Sequence, residues 1–267
     1  MFKAGFIGAG NMGSALIRAV SKAVGGENVA ISDCSKEKIK NLSDELGCKA
    51  CDNKETALNS KFIFLAVKPQ MMGDMLSSIS EVLKGRKDRF ILVSIAAGMA
   101  KDKIKTLSGG NYPVIRIMPN TPVSVNSGMI LYSPDAEITD GEISEFKDLL
   151  KFSGELDMID ETKIDAASAI SGCGPAYVYI FAEALADAGV ECGLPRDKAI
   201  DYAVQTILGA AELMKKSDKH SAQLKDEVCS PAGSTICGVR ALEENGFRAA
   251  SIKAVLAAYK RSVELGK

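Results

Sequence analysis

Two textures run along the chain. Up to about residue 160, short unbroken apolar runs alternate with stretches whose apolar positions recur at helical spacing. Lys3–Ile7, Val29–Ser32, Lys61–Val67, Phe90–Ile95 and Val114–Met118 read as strands. They are continuous rather than alternating, the pattern of parallel strands covered on both faces. Asn11–Val24, Ser35–Leu46, Gln70–Leu83 and Lys101–Leu107 read as helices between them. Ser35 stands at a capping position and Pro69 where a first helical turn tolerates proline. Gly128–Ser133 and Glu155–Ile159, flanking a helix at Thr139–Phe152, extend the series. Crossovers of this length are right-handed, so the pattern predicts an α/β doubly wound sheet.

From Thr162 onward the chain is alanine-rich and helical in pattern, with no convincing strand. Ile200, Val204, Ile207, Leu208 and Ala211 form one amphipathic stripe; Ile252, Val255, Leu256, Tyr259 and Val263 form another. Tyr177–Leu185 is apolar nearly all round, behind a Pro175 suited to a helix start. A helix of that kind needs cover on every side, and about 105 residues of bundle supply little. The expected layout is a sheet domain over residues 1–161 and an all-α domain over 162–267, the latter pairing with a second copy of the chain.

Composition narrows the function. The chain has 267 residues, with 33 lysines and arginines against 34 aspartates and glutamates. That balance gives no basic field for nucleic acid or anionic lipid. The longest apolar runs are too short to cross a bilayer, and glycines break up Met1–Val20, so neither a span nor a secretory signal is expected. Seven cysteines at irregular spacing point to a reducing, cytoplasmic setting rather than a disulfide framework. Cys48 and Cys51 form a C-x-x-C with no second pair at zinc spacing, and His220 is the only histidine. No metal site is expected.

The chemistry is carried by turns. Gly8-Ala9-Gly10-Asn11-Met12-Gly13 is G-x-G-x-x-G between a strand and a helix. Its first glycine allows the tight turn, the second lets a pyrophosphate approach, and the third lets helix and strand pack closely; the helix start supplies N–H donors. Asp33 lies 20 residues past Gly13, placed for the adenosine ribose hydroxyls. It favours NAD(H), yet Ser32, Ser35 and Lys36 would suit the 2′-phosphate of NADP(H) if Asp33 turned away. Both dinucleotides stay open. Ala66-Val67-Lys68-Pro69, Ala96-Ala97-Gly98 and Met118-Pro119-Asn120-Thr121-Pro122 end three further strands on the same edge, where ligands of open α/β sheets sit. In the second half, Ser230, Gly233, Ser234 and Thr235 lead into a helix at about Ser234–Asn245. Hydroxyls and free N–H groups there suit a small carboxylate, or simply cap the helix.

With these residues in view the chain resembles the Δ1-pyrroline-5-carboxylate reductases, nearly end to end. The markers are GFIGAGNMGSAL at 5–16, AVKP at 66–69, RIMPNTP at 116–122, SGCGPAYVY at 171–179 and DEVCSPAGSTICG at 226–238. The resemblance implies a Rossmann domain, a helical dimerisation domain within a homo-oligomer, and reduction of a cyclic imine to proline by NADPH or NADH. By motif position it implies Asn53 on the adenosine side, and Ser230, Ser234 and Thr235 around the substrate carboxylate and ring nitrogen. Ala232 departs from the glycine often found in the family. The absence of histidine from the motifs suits hydride addition to a protonated imine, which leaves a neutral amine and needs no strong acid. A β-hydroxyacid dehydrogenase has a similar layout but resembles its relatives in a lysine and asparagine after a glycine-rich helix start, and Ser171–Leu185 has neither. A dinucleotide sensor without turnover would have no use for the Ser230–Thr235 loop.

Overall fold

The computed structural model describes Met1–Leu265, which divide into two compact units: Met1–Cys173 with the chain from Ala258, and Gly174–Ala257.

In the first unit eight strands form one sheet: β1 (Phe2–Ile7), β2 (Val29–Ser32), β3 (Lys49–Ala50), β4 (Ser60–Leu65), β5 (Ile91–Ser94), β6 (Val114–Met118), β7 (Gly128–Pro134) and β8 (Gly154–Met158). Their order is β3-β2-β1-β4-β5-β6-β7-β8. Every neighbouring pair is parallel except β6 with β7. The doubly wound sheet is therefore as the pattern predicts, and its strand order reverses between β1 and β4. The helices are α1 (Asn11–Val24), α2 (Lys36–Leu46), α3 (Asn53–Asn59), α4 (Met72–Gly85), α5 (Lys101–Ser108), α6 (Asp140–Leu149) and α7 (Ile164–Ser171). A core on one face joins Leu16, Ile17 and Phe146 to Phe6 and Phe64, whose rings stack 4.3 Å apart. The other face buries Met72, Leu76 and Ile79 of α4 against Ile63, Leu65 and Leu92.

Two elements were not predicted. The edge strand β3 has two exposed residues and no apolar signal. Helix α3 buries only Thr56 and Ala57, and is started by the Asp52 side chain accepting the Glu55 N–H at 2.7 Å. Pro69 opens a single 3₁₀ turn, Pro69–Met71, and α4 begins at Met72 rather than Gln70. Helix α6 ends at Leu149, short of the predicted Phe152; its start is a full capping box between Thr139 and Glu142.

The second unit holds α8 (Gly174–Glu191), α9 (Arg196–Lys216), α10 (Ser221–Val228), α11 (Ser234–Glu244) and the first part of α12 (Phe247–Leu265). Helices α8 and α9 meet through Ala186, Ala199 and Ala203, and the rings of Phe181 and Phe247 lie 5.6 Å apart. Those three alanines are its whole fully buried apolar set among the described residues. The predicted stripes are largely exposed: Leu256 is 59% exposed and Ile180 of α8 66%. By length and composition alone, Glu161–Glu191 would suffice to cross a membrane.

Candidate active site

The dinucleotide motif sits where the strand order reverses. Gly8 has φ +109°, and a β-carbon there would drive into the Ala66 carbonyl of the neighbouring strand end. A β-carbon on Gly13 would meet the Gly8 carbonyl oxygen. Both glycines are thus required by the protein's own packing. Gly10 differs. Nothing lies within 4 Å of where its β-carbon would stand, so the chain leaves that side open. Helix α1 starts at Gly10 with no side-chain cap and no acidic residue in its first turn. Open N–H donors beneath an uncrowded glycine fit the pyrophosphate of a dinucleotide.

A cleft of about 510 Å³ runs from this turn. Gly8, Gly10, Asp33, Asn53, Ala66, Val67 and Lys68 line it together. The sequence reading missed Lys38, Met71, Asp74 and Met75, which also line it; Lys38 lies one turn into the helix that follows Asp33, a position where a cation was legible. A wider hollow of about 900 Å³ beside Asp33, Asn53, Cys34 and Lys36 continues on the α2 side. Ala9 and Asn11 line a neighbouring hollow with Arg18 and Lys38. The structure does not bring Met12, Gly13, Pro69, Ala97, Gly98 or Asn120 into these walls. Gly98 takes φ +71° in the turn after β5.

Asp33 faces the glycine turn itself. Its carboxylate accepts the Ala9 N–H at 2.6 Å and the Ser35 N–H at 2.9 Å, and the Cys34 thiol donates to it at 3.4 Å. Burial alone would raise this carboxyl. The N–H groups of Ala9 and Ser35, the Cys34 thiol and the charge of Lys38 outweigh it and hold the pKa below the usual aspartate value. Asp33 is thus a brace for the turn as well as part of the cleft wall.

Asn120 is buried with both ends of its amide engaged: Nδ2 donates to the Ser171 carbonyl and Oδ1 accepts the Met129 N–H, each at 2.9 Å.

In the helical unit, the Ser230–Thr235 segment makes a tight turn. The Gly233 N–H donates to the Ser230 carbonyl at 3.0 Å, and a β-carbon on Gly233 would strike the Ser230 hydroxyl. Ala232 takes φ +57°, a left-handed conformation costly for any residue but glycine. Gly233 precedes α11 without a side-chain cap, so Ser234 and Thr235 open a helix whose first N–H groups are unclaimed by side chains. Ser230 and Ser234 are exposed and Thr235 half-buried. The capping alternative does not describe this helix start.

The remaining polar candidates have ordinary partners. His220 is exposed and caps α10, its Nδ1 accepting the Ala222 N–H at 3.2 Å. Cys48 is buried against the Ser21 hydroxyl, and all seven cysteines are free. Burial, with Glu55 and Asp52 close by, pushes the Cys51 thiol up to about 11. No cluster of three or more metal-ligating side chains occurs among the described residues.

Comparison with known proteins reaches both units. The Escherichia coli pyrroline-5-carboxylate reductase is 40% identical over 268 aligned residues, covering 99% of this chain and 98% of that protein. The chain belongs to the pyrroline-5-carboxylate reductase family. A Danio rerio member, pyrroline-5-carboxylate reductase 3, is 42% identical over 99% of this chain and 91% of its own length. The family description "Pyrroline-5-carboxylate reductase dimerisation" matches residues 161–265, and "NADP oxidoreductase coenzyme F420-dependent" matches 3–98, the part carrying the glycine turn. Among solved structures, the Plasmodium falciparum pyrroline carboxylate reductase with NADP bound superposes with a TM-score of 0.89 at 36% identity, over 100% of this chain and 98% of that one.

Proposed function

We propose that this protein reduces the cyclic imine 1-pyrroline-5-carboxylate to L-proline with NADPH or NADH. The observation that carries this reading is the likeness to the Escherichia coli reductase over 99% of this chain and thus along both units. In the division of labour that we propose, residues 1–161 hold the dinucleotide and 162–267 supply substrate contacts and the dimer.

Toward the dinucleotide, the N–H groups at the start of α1 would face the pyrophosphate over Gly10, with Gly8, Ala9, Asn11, Met12 and Gly13 shaping the turn. Asp33 and Asn53 would bound the adenosine side. Ala66–Pro69 and the Ala97–Gly98 turn would rim the nicotinamide side. When bound, the reduced cofactor supplies the hydride. Toward the imine, the start of α11 suits an anion: Ser230, Gly233, Ser234 and Thr235 would hold the substrate carboxylate through hydroxyls and unclaimed N–H groups. Thr235 is the residue we assign to the ring nitrogen, as a hydrogen-bonding, orienting group. A protonated imine that gains a hydride at carbon becomes a neutral amine, so positioning rather than acid catalysis does most of what is needed. The exposed apolar faces of α8, α9 and α12 suit a second copy of the chain rather than lipid, and seven free thiols suit the cytosol.

The deciding experiment is NADPH and NADH oxidation followed at 340 nm with 1-pyrroline-5-carboxylate, with proline identified as product. Imine-dependent turnover is expected with both dinucleotides. Tight dinucleotide binding without imine-dependent turnover would leave the sensor reading standing instead.

A further inference from the structure

Strand β6 and the turn after it present every second residue to one helix. Arg116, Met118 and Asn120 share a face, as residues two apart in an extended chain must. Arg116 pairs with Asp165 at 2.8 Å, at the start of α7. Met118 is buried with Ile164 and Leu131, and Asn120 holds the carbonyl of Ser171, the last residue of α7. Strand β6 and the turn after it therefore hold α7 at both ends.

The last grip answers a defect written in the sequence. In a continuing helix the Ser171 carbonyl would take the N–H of residue 175, and residue 175 is proline, which has none. A buried carbonyl without a donor is costly, and the Asn120 amide supplies one. The other side of that amide accepts the Met129 N–H of β7, so its orientation is fixed. Ser171 is thus held within the sheet unit just before Gly172-Cys173-Gly174, the glycine-bearing segment at which the second unit, with its Ser230–Thr235 loop, begins.

We propose that Asn120 is a positioning residue for the reaction: it makes no contact with the dinucleotide and instead fixes the end of α7, from which the chain runs to the substrate loop. This rests on the reductase reading above. Hydride transfer needs the reacting atoms within about 3.5 Å, and a misplacement of about 1 Å can cost 100-fold. Freeing Ser171 therefore lowers turnover while the glycine turn, built from other elements, keeps its ligand.

The test compares Asn120→Asp, which keeps shape and the acceptor for Met129 but loses the donor to Ser171, with Asn120→Ala. Dinucleotide dissociation constants are read by fluorescence titration, kcat and KM by imine reduction, and folding by thermal melting, all well below the melting point. The expected result is a kcat lowered about 10- to 100-fold with the NADPH dissociation constant within about twofold of wild type. Wild-type kcat in both folded variants overturns the proposal, as does a tenfold weaker dinucleotide affinity, which would make Asn120 a cofactor contact. Should neither variant fold, a crystal structure of the wild-type protein with NADPH decides: an Asn120 amide still on Ser171 and Met129 supports the proposal, and one turned onto the dinucleotide ends it. A wild-type protein with no imine turnover would instead sink the reductase reading, which these outcomes leave separate.

Discussion

A β-carbon on Gly8 would meet the Ala66 carbonyl, whereas one on Gly10 would meet nothing, and the two substitutions should part accordingly. Gly10→Val is expected to fold with an unchanged melting temperature and to lose dinucleotide affinity by more than tenfold in a fluorescence titration. Gly8→Val is expected to melt lower or fail to fold, from backbone strain and collision together. Asp33 carries a different expectation. Its carboxylate braces Ala9, so Asp33→Asn should weaken both dinucleotides by loosening the turn. Removing a negative charge near the adenosine side should still raise the ratio of kcat/KM for NADPH to that for NADH; an unchanged ratio would show that the carboxylate faces only the turn. The sign of its pH effect follows from its lowered pKa. Its stabilisation is fully present above the ordinary aspartate value and is lost as pH falls through the depressed one. Thr235→Ala is expected to lower kcat with the imine by about 5- to 150-fold, the worth of roughly 1–3 kcal/mol, with dinucleotide binding unchanged.

At the scale of elements, legibility followed local signal. Helix α1 and strands β2 and β6 run over the residues that their apolar patterns predict. Strand β3 and helix α3 bury too little for any period to show, although Asp52-Asn53-Lys54-Glu55 is a helix-start signature that periodicity alone passes over. The glycine turn and the strand ends of the candidate site were legible because their chemistry is local. The direction of the Asp33 carboxylate and the hold of Asn120 on Ser171 were not, since each depends on residues 24 and 51 positions away. Helix α6 offers a stability test. The Arg89 guanidinium beside Glu142, with the N–H and hydroxyl of Thr139, outweighs burial and brings the Glu142 carboxyl down to about 2. Glu142→Gln should cost about 1–2 kcal/mol at pH 7, discounted because Arg89 is half exposed. Because the folded pKa is depressed, that difference should persist down to about pH 4 and shrink as pH falls toward 2. Urea titrations of both proteins across this range would reveal it.

For the whole molecule, the contrast between the units is the governing fact. The sheet unit buries two extensive apolar clusters, while the helical unit has three buried alanines and leaves Ile180, Tyr202, Leu208 and Leu256 open. So much apolar surface marks a protein interface. The matched dimerisation region covers these residues. Light scattering should accordingly find a dimer or larger assembly, and the melting temperature should rise with protein concentration. Ile180→Asp with Leu256→Asp should yield monomers with little activity; an active monomer would count against the dimer as the working unit.

Ala232 gives one more consequence. Its methyl group sits where the backbone favours none, so the loop that would greet the substrate is held at a cost of about 1 kcal/mol. Ala232→Gly should make the protein harder to melt. A glycine reaches this left-handed shape far more readily than an alanine, so the loop would keep its form at less cost. A higher melting temperature with unchanged imine turnover would show that the methyl group burdens only the fold.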